Sequence, residues 1–524
     1  MIVTLFTNLG NISVYPSHSQ EEKVCIMFRS SEVYNVKKAP SLVQHHSPDS
    51  PISSKKMALP LARMVRLALV GLMAFTSIAS ALPAQVSRRT VQPPATDPFY
   101  QPPAGYASEA PGTILNQRNI TAAFFGVVPV DVEAYQLLYR TTAVNGSALA
   151  TVTTVFKPKN AKLDRLVSFA TAYDSSASKC QPSYAYQLGA AQDSLIASVE
   201  LLIIEIYLAL GYVVASPDYE GPDAAFGPGR LAGMGVLDGI RAVQSFKTLG
   251  LTDSPMIAGV GYSGGSIATG WAASLQPTYA SELNIKAWVQ GGTPANVTGT
   301  MYQLDNTAFS GLLPPAFVGL SRPSAYGVDL VPFFDKVMTV EGQKILDSAA
   351  SQCFTANLAT FFEKSIFDTS FQTLGDDFIF DPIVQSVLKQ NSMGVKKDET
   401  PTAPTFVYHA TDDEVIPYSD ANTLVNSWCN WDANVKFTTY ASGGHATTEI
   451  IAIPETIQFV QNAFAGTTKS GCTTSTELGS ILNPLALGAG LEPILIKLID
   501  ALTHLGDQDS KVKSDPVTVL NTTL

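Results

Sequence analysis

Residues Met256–Gly265 read MIAGVGYSGG, and they place Ser263 between a short apolar run and an alanine-rich segment. The run 256–260 predicts a buried strand, and residues 266–274 predict a helix. The intervening GYSGG fits G-x-S-x-G, in which a serine on a sharp strand-to-helix turn is lifted out of a sheet. The stretch therefore predicts a nucleophilic serine beside the free N–H groups of a helix N-terminus, where an oxyanion is stabilised.

The same glycines permit two other interpretations. Gly259-x-Gly261-x-x-Gly264 also fits the dinucleotide-binding fingerprint G-x-G-x-x-G. That fingerprint needs an acidic residue about 20 positions further on, at the end of the next strand. Glu282 lies near that distance, but it precedes the apolar run 285–289 instead of ending it. The other alternative is a glycine-rich turn whose serine has no chemical role.

The segment 57–81 has the features of a secretory signal peptide. Basic residues precede the apolar run Leu67–Ile78, and Ala79-Ser80-Ala81 follows as a small-residue cleavage site. We therefore expect a secreted chain that starts at or after Leu82. Residues 1–56 show no core pattern, and we interpret them as a leader upstream of the true start codon; a cytosolic extension is the alternative.

Composition limits the class of protein. The 524 residues carry 33 Lys and Arg against 44 Asp and Glu, a net charge of −11, and 46% are hydrophobic. The acidic balance argues against binding to nucleic acid or to an anionic membrane. Neither H-E-x-x-H nor G-x-x-x-x-G-K-[ST] occurs, so the sequence predicts no metal and no bound cofactor.

Cysteines and glycosylation sequons agree with export. Apart from Cys25 in the leader, the cysteines are even in number, as expected for two disulfides in an oxidising compartment. Four cysteines allow three pairings. The cysteines are Cys180, Cys353, Cys429 and Cys472, and the sequons begin at Asn119, Asn145, Asn296 and Asn521.

Apolar runs of strand length alternate with helical segments, which predicts βαβ units and a mostly parallel sheet. The runs are 152–156, 166–172, 212–215, 256–260, 287–289, 405–409 and 435–440. Residues about 300–395 break the alternation and are rich in phenylalanine, so we expect a helical insertion in which most of the phenylalanines form a core. The alternative interpretation adds an apolar channel beneath a lid. We expect a loose arm over 82–112, a main domain over 82–472, and a tail over 473–524 with an amphipathic helix at Leu491–Leu505.

A serine needs a base, and the base is normally a histidine oriented by a carboxylate. Outside the leader the histidines are His409, His445 and His504. His445 follows the run 435–440 in a glycine-rich loop, which suits a base at the carboxyl edge of the sheet. His409 lies within a predicted strand, which favours a structural role, and His504 lies in the tail.

The acid is expected between the serine and the histidine, in the order Ser, Asp, His. Asp412 and Asp413 both lie on the turn after the run 405–409. Spacing alone does not choose between them.

The motifs together resemble the fungal secretory lipases. The resemblance covers about 98–472 and rests on GYSGG at 261–265, HAxxDE at 409–414, PY at 417–418, GH at 444–445 with Glu449, YD at 173–174, CxPSY at 180–184, DxEG at 218–221 and GGTP at 291–294.

The resemblance implies an α/β-hydrolase fold with a helical cap. It implies that Asp413, not Asp412, is the acid, and that Asp174 and Gly264 form the oxyanion hole. It also implies that Cys180 pairs with Cys353, and Cys429 with Cys472.

We therefore predict a secreted serine ester hydrolase, a lipase that acts on triacylglycerol or other acyl esters, as a monomer and at a lipid–water interface. An esterase for one small acylated metabolite is the close alternative. A binding protein on a hydrolase scaffold is a second class, disfavoured because all three triad residue types are present.

Overall fold

The computed structural model of the protein describes residues 91–191, 193 and 195–477. The predicted leader, the signal peptide, the tail helix and Asn521 lie outside the described residues.

The described residues form twelve strands. They are β1 (Ile114–Ile120), β2 (Ala123–Phe124), β3 (Val128–Pro129), β4 (Glu133–Thr142), β5 (Ala148–Lys157), β6 (Arg165–Ala170), β7 (Val213–Pro217), β8 (Met256–Tyr262), β9 (Ile285–Gly291), β10 (Thr405–Ala410), β11 (Val435–Tyr440) and β12 (Thr473–Glu477).

Ten of these strands build one sheet in the order β1-β4-β5-β7-β6-β8-β9-β10-β11-β12. The first three pairings, β1 with β4, β4 with β5 and β5 with β7, are antiparallel. Every pairing from β7 to β12 is parallel. Parallel strands present their carboxyl ends at one edge of a sheet, so the loops that follow β6, β8, β10 and β11 converge there.

The helices of the described residues are α1 (Pro182–Ala185), α2 (Leu195–Ala209), α3 (Gly229–Ser245), α4 (Gly264–Tyr279), α5 (Val297–Leu304), α6 (Leu313–Leu320), α7 (Gly327–Val337), α8 (Val340–Ala349), α9 (Phe354–Thr360), α10 (Pro382–Gln390), α11 (Tyr418–Asn430), α12 (His445–Ile451) and α13 (Ile453–Phe464).

Helices cover both faces of the sheet, because its central strands are apolar on both sides. Successive side chains of a strand point to opposite faces. In β6, Val167 and Phe169 therefore pack with α2 and α13, whereas Leu166 and Ala170 pack with α3 and α4. Burial on both faces fixes the register of the strands around the serine turn.

The chain between β9 and β10 carries the helices α5 to α10. Their phenylalanines form a core of their own, in which Phe317, Phe333 and Phe334 surround Phe378 with ring centroids 5.5 to 6.5 Å apart. A disulfide between Cys180 and Cys353 joins this region to the sheet domain. We refer to residues 297–390 as the helical insertion.

The structure differs from two expectations at the ends of the sheet. Residues 473–477 form β12, which pairs with β11, so the sheet extends beyond the expected boundary at Cys472. The expected loose arm is partly fixed, because Phe99 and Tyr100 are buried and the guanidinium of Arg118 lies 4.0 Å from the Phe99 ring centroid. Periodicity did not show these contacts, because they depend on partners that are distant in sequence.

Candidate active site

Ser263 occupies the turn between β8 and α4 with φ at 52°, a conformation that is strained for a side chain larger than glycine. The neighbouring glycines allow the turn to close. A Cβ on Gly261 would lie 2.3 Å from the Gly265 carbonyl oxygen, and a Cβ on Gly265 would lie 2.0 Å from the Ala170 carbonyl oxygen. The spacing G-x-S-x-G is therefore a steric requirement of this turn.

Ser263, His445 and Asp413 form a continuous chain of hydrogen bonds. The Ser263 Oγ lies 2.7 Å from His445 Nε2, and His445 Nδ1 lies 2.8 Å from Asp413 Oδ2. An ionised carboxylate can only accept, so Nδ1 carries the proton and Nε2 is free to accept one from the serine hydroxyl. This is the arrangement that converts a hydroxyl into a nucleophile.

The structure brings Asp413 to the histidine and leaves Asp412 exposed. The Asp413 side chain is buried, and its Oδ1 accepts the backbone N–H groups of Val415 and Ile416 at 2.9 and 2.8 Å. Burial alone would raise the pKa of Asp413, but His445 and His409 together hold it well below its usual range. The carboxyl is therefore ionised wherever His445 can act as a base.

His445 is the first residue of α12, not part of a free loop as the sequence suggested. Its backbone N–H donates to the Glu414 carboxylate at 3.0 Å. Its carbonyl oxygen accepts from the Tyr262 hydroxyl at 2.6 Å. Gly292 leaves room for the imidazole, since a Cβ there would lie 2.8 Å from His445 Cε1.

Asp174 and Gly264, the two residues implied for the oxyanion hole, lie against each other. A Cβ on Gly264 would be 1.7 Å from Asp174 Oδ1. Gly264 is the first residue of α4, so its N–H has no acceptor within the helix. Asp174 follows β6 with φ at 44°, and its buried Oδ1 has no hydrogen-bond partner within the described part of the chain.

Asp174 belongs to a group of buried carboxyls on the sheet side of the site. Burial raises the pKa of Asp174 to about 7, against a smaller lowering by His445. Burial also raises the pKa of Glu449 to about 7, and it holds the pKa values of Glu200 and Glu220 well above the usual range. Carboxyls in this position favour the neutral form.

Sequence reasoning missed Glu200 and the contact of His409 with the acid. Glu200 lies in the apolar helix α2, and its Oε2 accepts the Ala172 N–H at 2.8 Å. The sequence could have identified Glu200 as a candidate, because an acidic residue is unusual in so apolar a helix. His409 Nε2 lies 3.2 Å from Asp413 Oδ2.

The cysteines form the bonds Cys180–Cys353 and Cys429–Cys472, the pairing that the resemblance implies. Among the sequon asparagines, Asn119 and Asn145 are exposed. Asn296 is only partly exposed and caps α5, where its side chain accepts the Thr298 N–H.

Two absences hold for the described residues alone. No helix among them is both long and apolar enough to cross a membrane. Within the same ranges, no group of three or more His, Cys, Asp or Glu side chains is placed to hold a metal ion.

A mostly parallel sheet, with a serine turn after a middle strand and a histidine and a carboxylate after later strands, is the architecture of the α/β-hydrolases. Comparison with known proteins gives the same class. The family model for secretory lipases matches residues 175–471. The secreted triacylglycerol lipase LIP1 of Malassezia furfur is 40% identical over 403 residues, which cover 76% of this chain and 82% of that protein.

Other relatives agree. The secreted triacylglycerol lipase LIP4 of Malassezia globosa is 37% identical over 435 residues, covering 82% of this chain and 94% of that protein. The crystal structure of Candida antarctica lipase A in its closed state superposes with a TM-score of 0.71 at 32% identity, covering 78% of this chain and 95% of that one. The chain belongs to the secretory lipase family and is a secreted carboxylic ester hydrolase.

Proposed function

We propose that this protein is a lipase in which Ser263 is the nucleophile, His445 the general base and Asp413 the residue that orients the base. The observation that carries the proposal is the unbroken hydrogen-bond chain from the Ser263 hydroxyl through His445 to Asp413. Relatives named as secreted triacylglycerol lipases support triacylglycerol as the substrate class.

The reaction proceeds in two halves. The Ser263 Oγ attacks the ester carbonyl carbon while its proton passes to His445 Nε2, and the carbonyl oxygen becomes an oxyanion. The bond to the alcohol then breaks, and the alcohol leaves with the proton from His445. Water attacks the acyl-enzyme in the same way and releases the fatty acid, which restores the Ser263 hydroxyl. Asp413 stabilises the imidazolium in both halves.

The oxyanion is stabilised at the start of α4. The Gly264 N–H is one donor, and the Asp174 carboxyl beside it is the second. An ionised carboxylate cannot donate and would repel an oxyanion. Asp174 therefore acts in its neutral form, which burial favours.

The helical insertion acts as a cap that rests on the loop after β6, which carries Asp174. The Ser175 hydroxyl donates to the Gln352 carbonyl at 2.7 Å and the Ser176 hydroxyl to the Pro315 carbonyl at 2.6 Å. Arg322 donates to the Ser176 carbonyl at 2.7 Å. These bonds fix the loop that carries Asp174. We propose that the enzyme works as a monomer at a lipid–water interface.

The proposal is tested by assays on p-nitrophenyl esters of graded acyl length and on emulsified triacylglycerol. Wild-type protein should hydrolyse both. Ser263→Ala, His445→Ala and Asp413→Asn should each lose most activity while keeping the wild-type Tm, and double variants should lose little more, because triad residues act as a unit.

Asp412→Asn is the matched control for the acid, since it changes a neighbouring exposed carboxyl. It should retain near wild-type activity. Full activity in Asp413→Asn, or a crippled Asp412→Asn, would contradict the assignment. Activity confined to short or single acyl esters, with none on emulsions, would favour the metabolite esterase instead.

A further inference from the structure

His409 is buried within β10, where its neighbours Val407, Tyr408 and Ala410 are buried hydrophobic residues. Successive residues of β10 alternate between the two faces of the sheet. Tyr408 and Ala410 pack on the face covered by α2 and α13, and Val407 packs with α11 on the other face. His409 therefore points to the α11 side, where it is wholly buried.

The imidazole of His409 contacts the same carboxylate oxygen as His445. His409 Nε2 lies 3.2 Å from Asp413 Oδ2 and 3.1 Å from the Ile416 carbonyl oxygen. Both neighbours are acceptors, so Nε2 must carry a proton, which it donates to the Ile416 carbonyl oxygen. Asp413 Oδ2 consequently faces a protonated nitrogen of each of two histidines.

The other nitrogen of this ring fixes its charge state. His409 Nδ1 is buried and has no hydrogen-bond partner among the described residues. A proton there would leave a buried donor unsatisfied, which is costly. The ring is therefore the neutral tautomer with its proton on Nε2, so it acts as a donor to Asp413 and not as a second base.

We propose that His409 is a positioning residue that holds the triad acid from the side opposite to His445. This inference rests on the proposed catalytic role of Asp413. The carboxylate accepts two backbone N–H groups at Oδ1 and the His445 N–H at Oδ2, and the protonated Nε2 of His409 lies 3.2 Å from the same Oδ2. It is thereby fixed in rotation, and its charge is shared with a donor other than the catalytic base.

Removal of the His409 donor has two effects on the reaction. Asp413 gains rotational freedom, which displaces the base from the serine and lowers kcat. Without the His409 N–H, the negative charge of Asp413 also attracts protonated His445 more strongly. His445 therefore holds its second proton more tightly and becomes neutral only at higher pH. The acid limb of the pH–activity profile therefore shifts to higher pH.

Among the described residues, three titratable groups face His409. The Tyr418 ring contacts it edge-on at 6.1 Å between centroids, and Asp420 on α11 is close enough for the histidine to affect its pKa. Asp413 is the third, and His445 bonds to the same oxygen of that carboxylate. Of these, Asp413 alone has a hydrogen bond to His445 that His409 can alter.

The test compares His409→Gln with His409→Asn. The longer amide of glutamine places its N–H where Nε2 stands, whereas that of asparagine falls at Nδ1 and cannot reach Asp413. We expect Gln to keep kcat within about threefold of wild type, and Asn to lose about tenfold in kcat with KM unchanged, the size of effect of one lost hydrogen bond to a charged group. The acid limb should shift to higher pH in Asn only.

Tyr418→Phe is the matched control, because it removes a neighbouring hydrogen bond, to Thr439, without touching the triad. It should leave kcat and the acid limb unchanged. If His409→Gln and His409→Asn have equal kcat values and the same acid limb in their pH profiles, the inference is overturned. The proposed function is tested separately, by the loss of activity in Ser263→Ala.

If His409→Asn does not fold, ¹⁵N NMR of histidine-labelled wild-type protein tests the inference, because it shows which ring nitrogen of His409 carries the proton. The inference requires a protonated Nε2 and a bare Nδ1 on His409. A proton on Nδ1 instead would overturn it.

Discussion

The replacement Asp174→Asn tests whether this carboxyl donates a hydrogen bond to the oxyanion. An amide has the same shape and donates at any pH. In the wild type, burial raises the pKa of Asp174 to about 7, so the donating neutral form is present below that pH and is lost as the pH rises through it. The nearby groups are Glu200, Glu220, Glu449 and His445.

The size of the effect follows from the titration. With a pKa of about 7, the neutral fraction of Asp174 is about 0.9 at pH 6, about 0.5 at pH 7 and about 0.1 at pH 8. We therefore expect wild-type kcat/KM to fall about tenfold between pH 6 and pH 8, and also to fall at low pH as His445 becomes protonated. Asp174→Ala, which cannot donate at any pH, should lose about 100-fold or more at pH 6, and about tenfold less than that at pH 8, where only about 0.1 of wild-type Asp174 still donates.

The assay is the pH profile of kcat/KM on a soluble p-nitrophenyl ester, corrected for spontaneous hydrolysis. Asp174→Asn should lose the alkaline fall and keep the acid limb. Asp218→Asn is the control, because burial also raises the pKa of Asp218 to about 7, yet its carboxyl bonds to Ser183 instead. An alkaline fall that stays in Asp174→Asn, or vanishes in Asp218→Asn, would refute the reasoning.

Three further predictions concern the same region and the surface. Gly264→Ala should lose at least about 100-fold in kcat/KM, because its Cβ would stand 1.7 Å from Asp174 Oδ1; near wild-type kinetics would contradict this packing. Glu449→Gln should be up to about 3 kcal/mol more stable than wild type in urea at pH 8 and equal to it at pH 4. The reason is that burial raises the pKa of Glu449 to about 7. Its neutral form therefore stabilises the fold at low pH, and this stabilisation is lost as the pH rises through 7. The same difference in free energy of unfolding between variant and wild type at both pH values would argue against it. In protein secreted by a eukaryotic host, mass spectrometry should find a glycan on exposed Asn145 but not on Asn296, whose side chain caps α5; a glycan on Asn296 would show that the cap is not formed when the sugar is added.

The central parallel strands β6, β7, β8 and β10 were predictable because they are largely apolar and buried on both faces. The antiparallel strands β1 and β4 were not predicted, and β12 was placed in the tail. β12 is exposed along its whole length, so its residues show no apolar alternation, and its pairing with β11 depends on tertiary contacts alone.

The sequence identified the types of residue in the candidate site, but it did not predict how those residues are arranged. With three histidines outside the leader, His445 was identifiable from its place after a strand, whereas Asp412 and Asp413 could not be separated by spacing. The separation depends on the turn itself, where the N–H groups of Val415 and Ile416 close on Asp413. The buried carboxyls around Asp174 come from α2, α12 and the loops after β6 and β7. These segments are distant in sequence, so local sequence patterns could not predict that their carboxyls lie close together.

The central claim is that Ser263 is the nucleophile, and covalent labelling tests it most directly. The protein is inactivated with a p-nitrophenyl alkylphosphonate, and the adduct is located by peptide mass spectrometry alongside the residual activity. The account predicts a single adduct on Ser263, formed in proportion to the loss of activity and absent from His445→Ala. An adduct on another residue, or full inactivation with Ser263 unmodified, would contradict it.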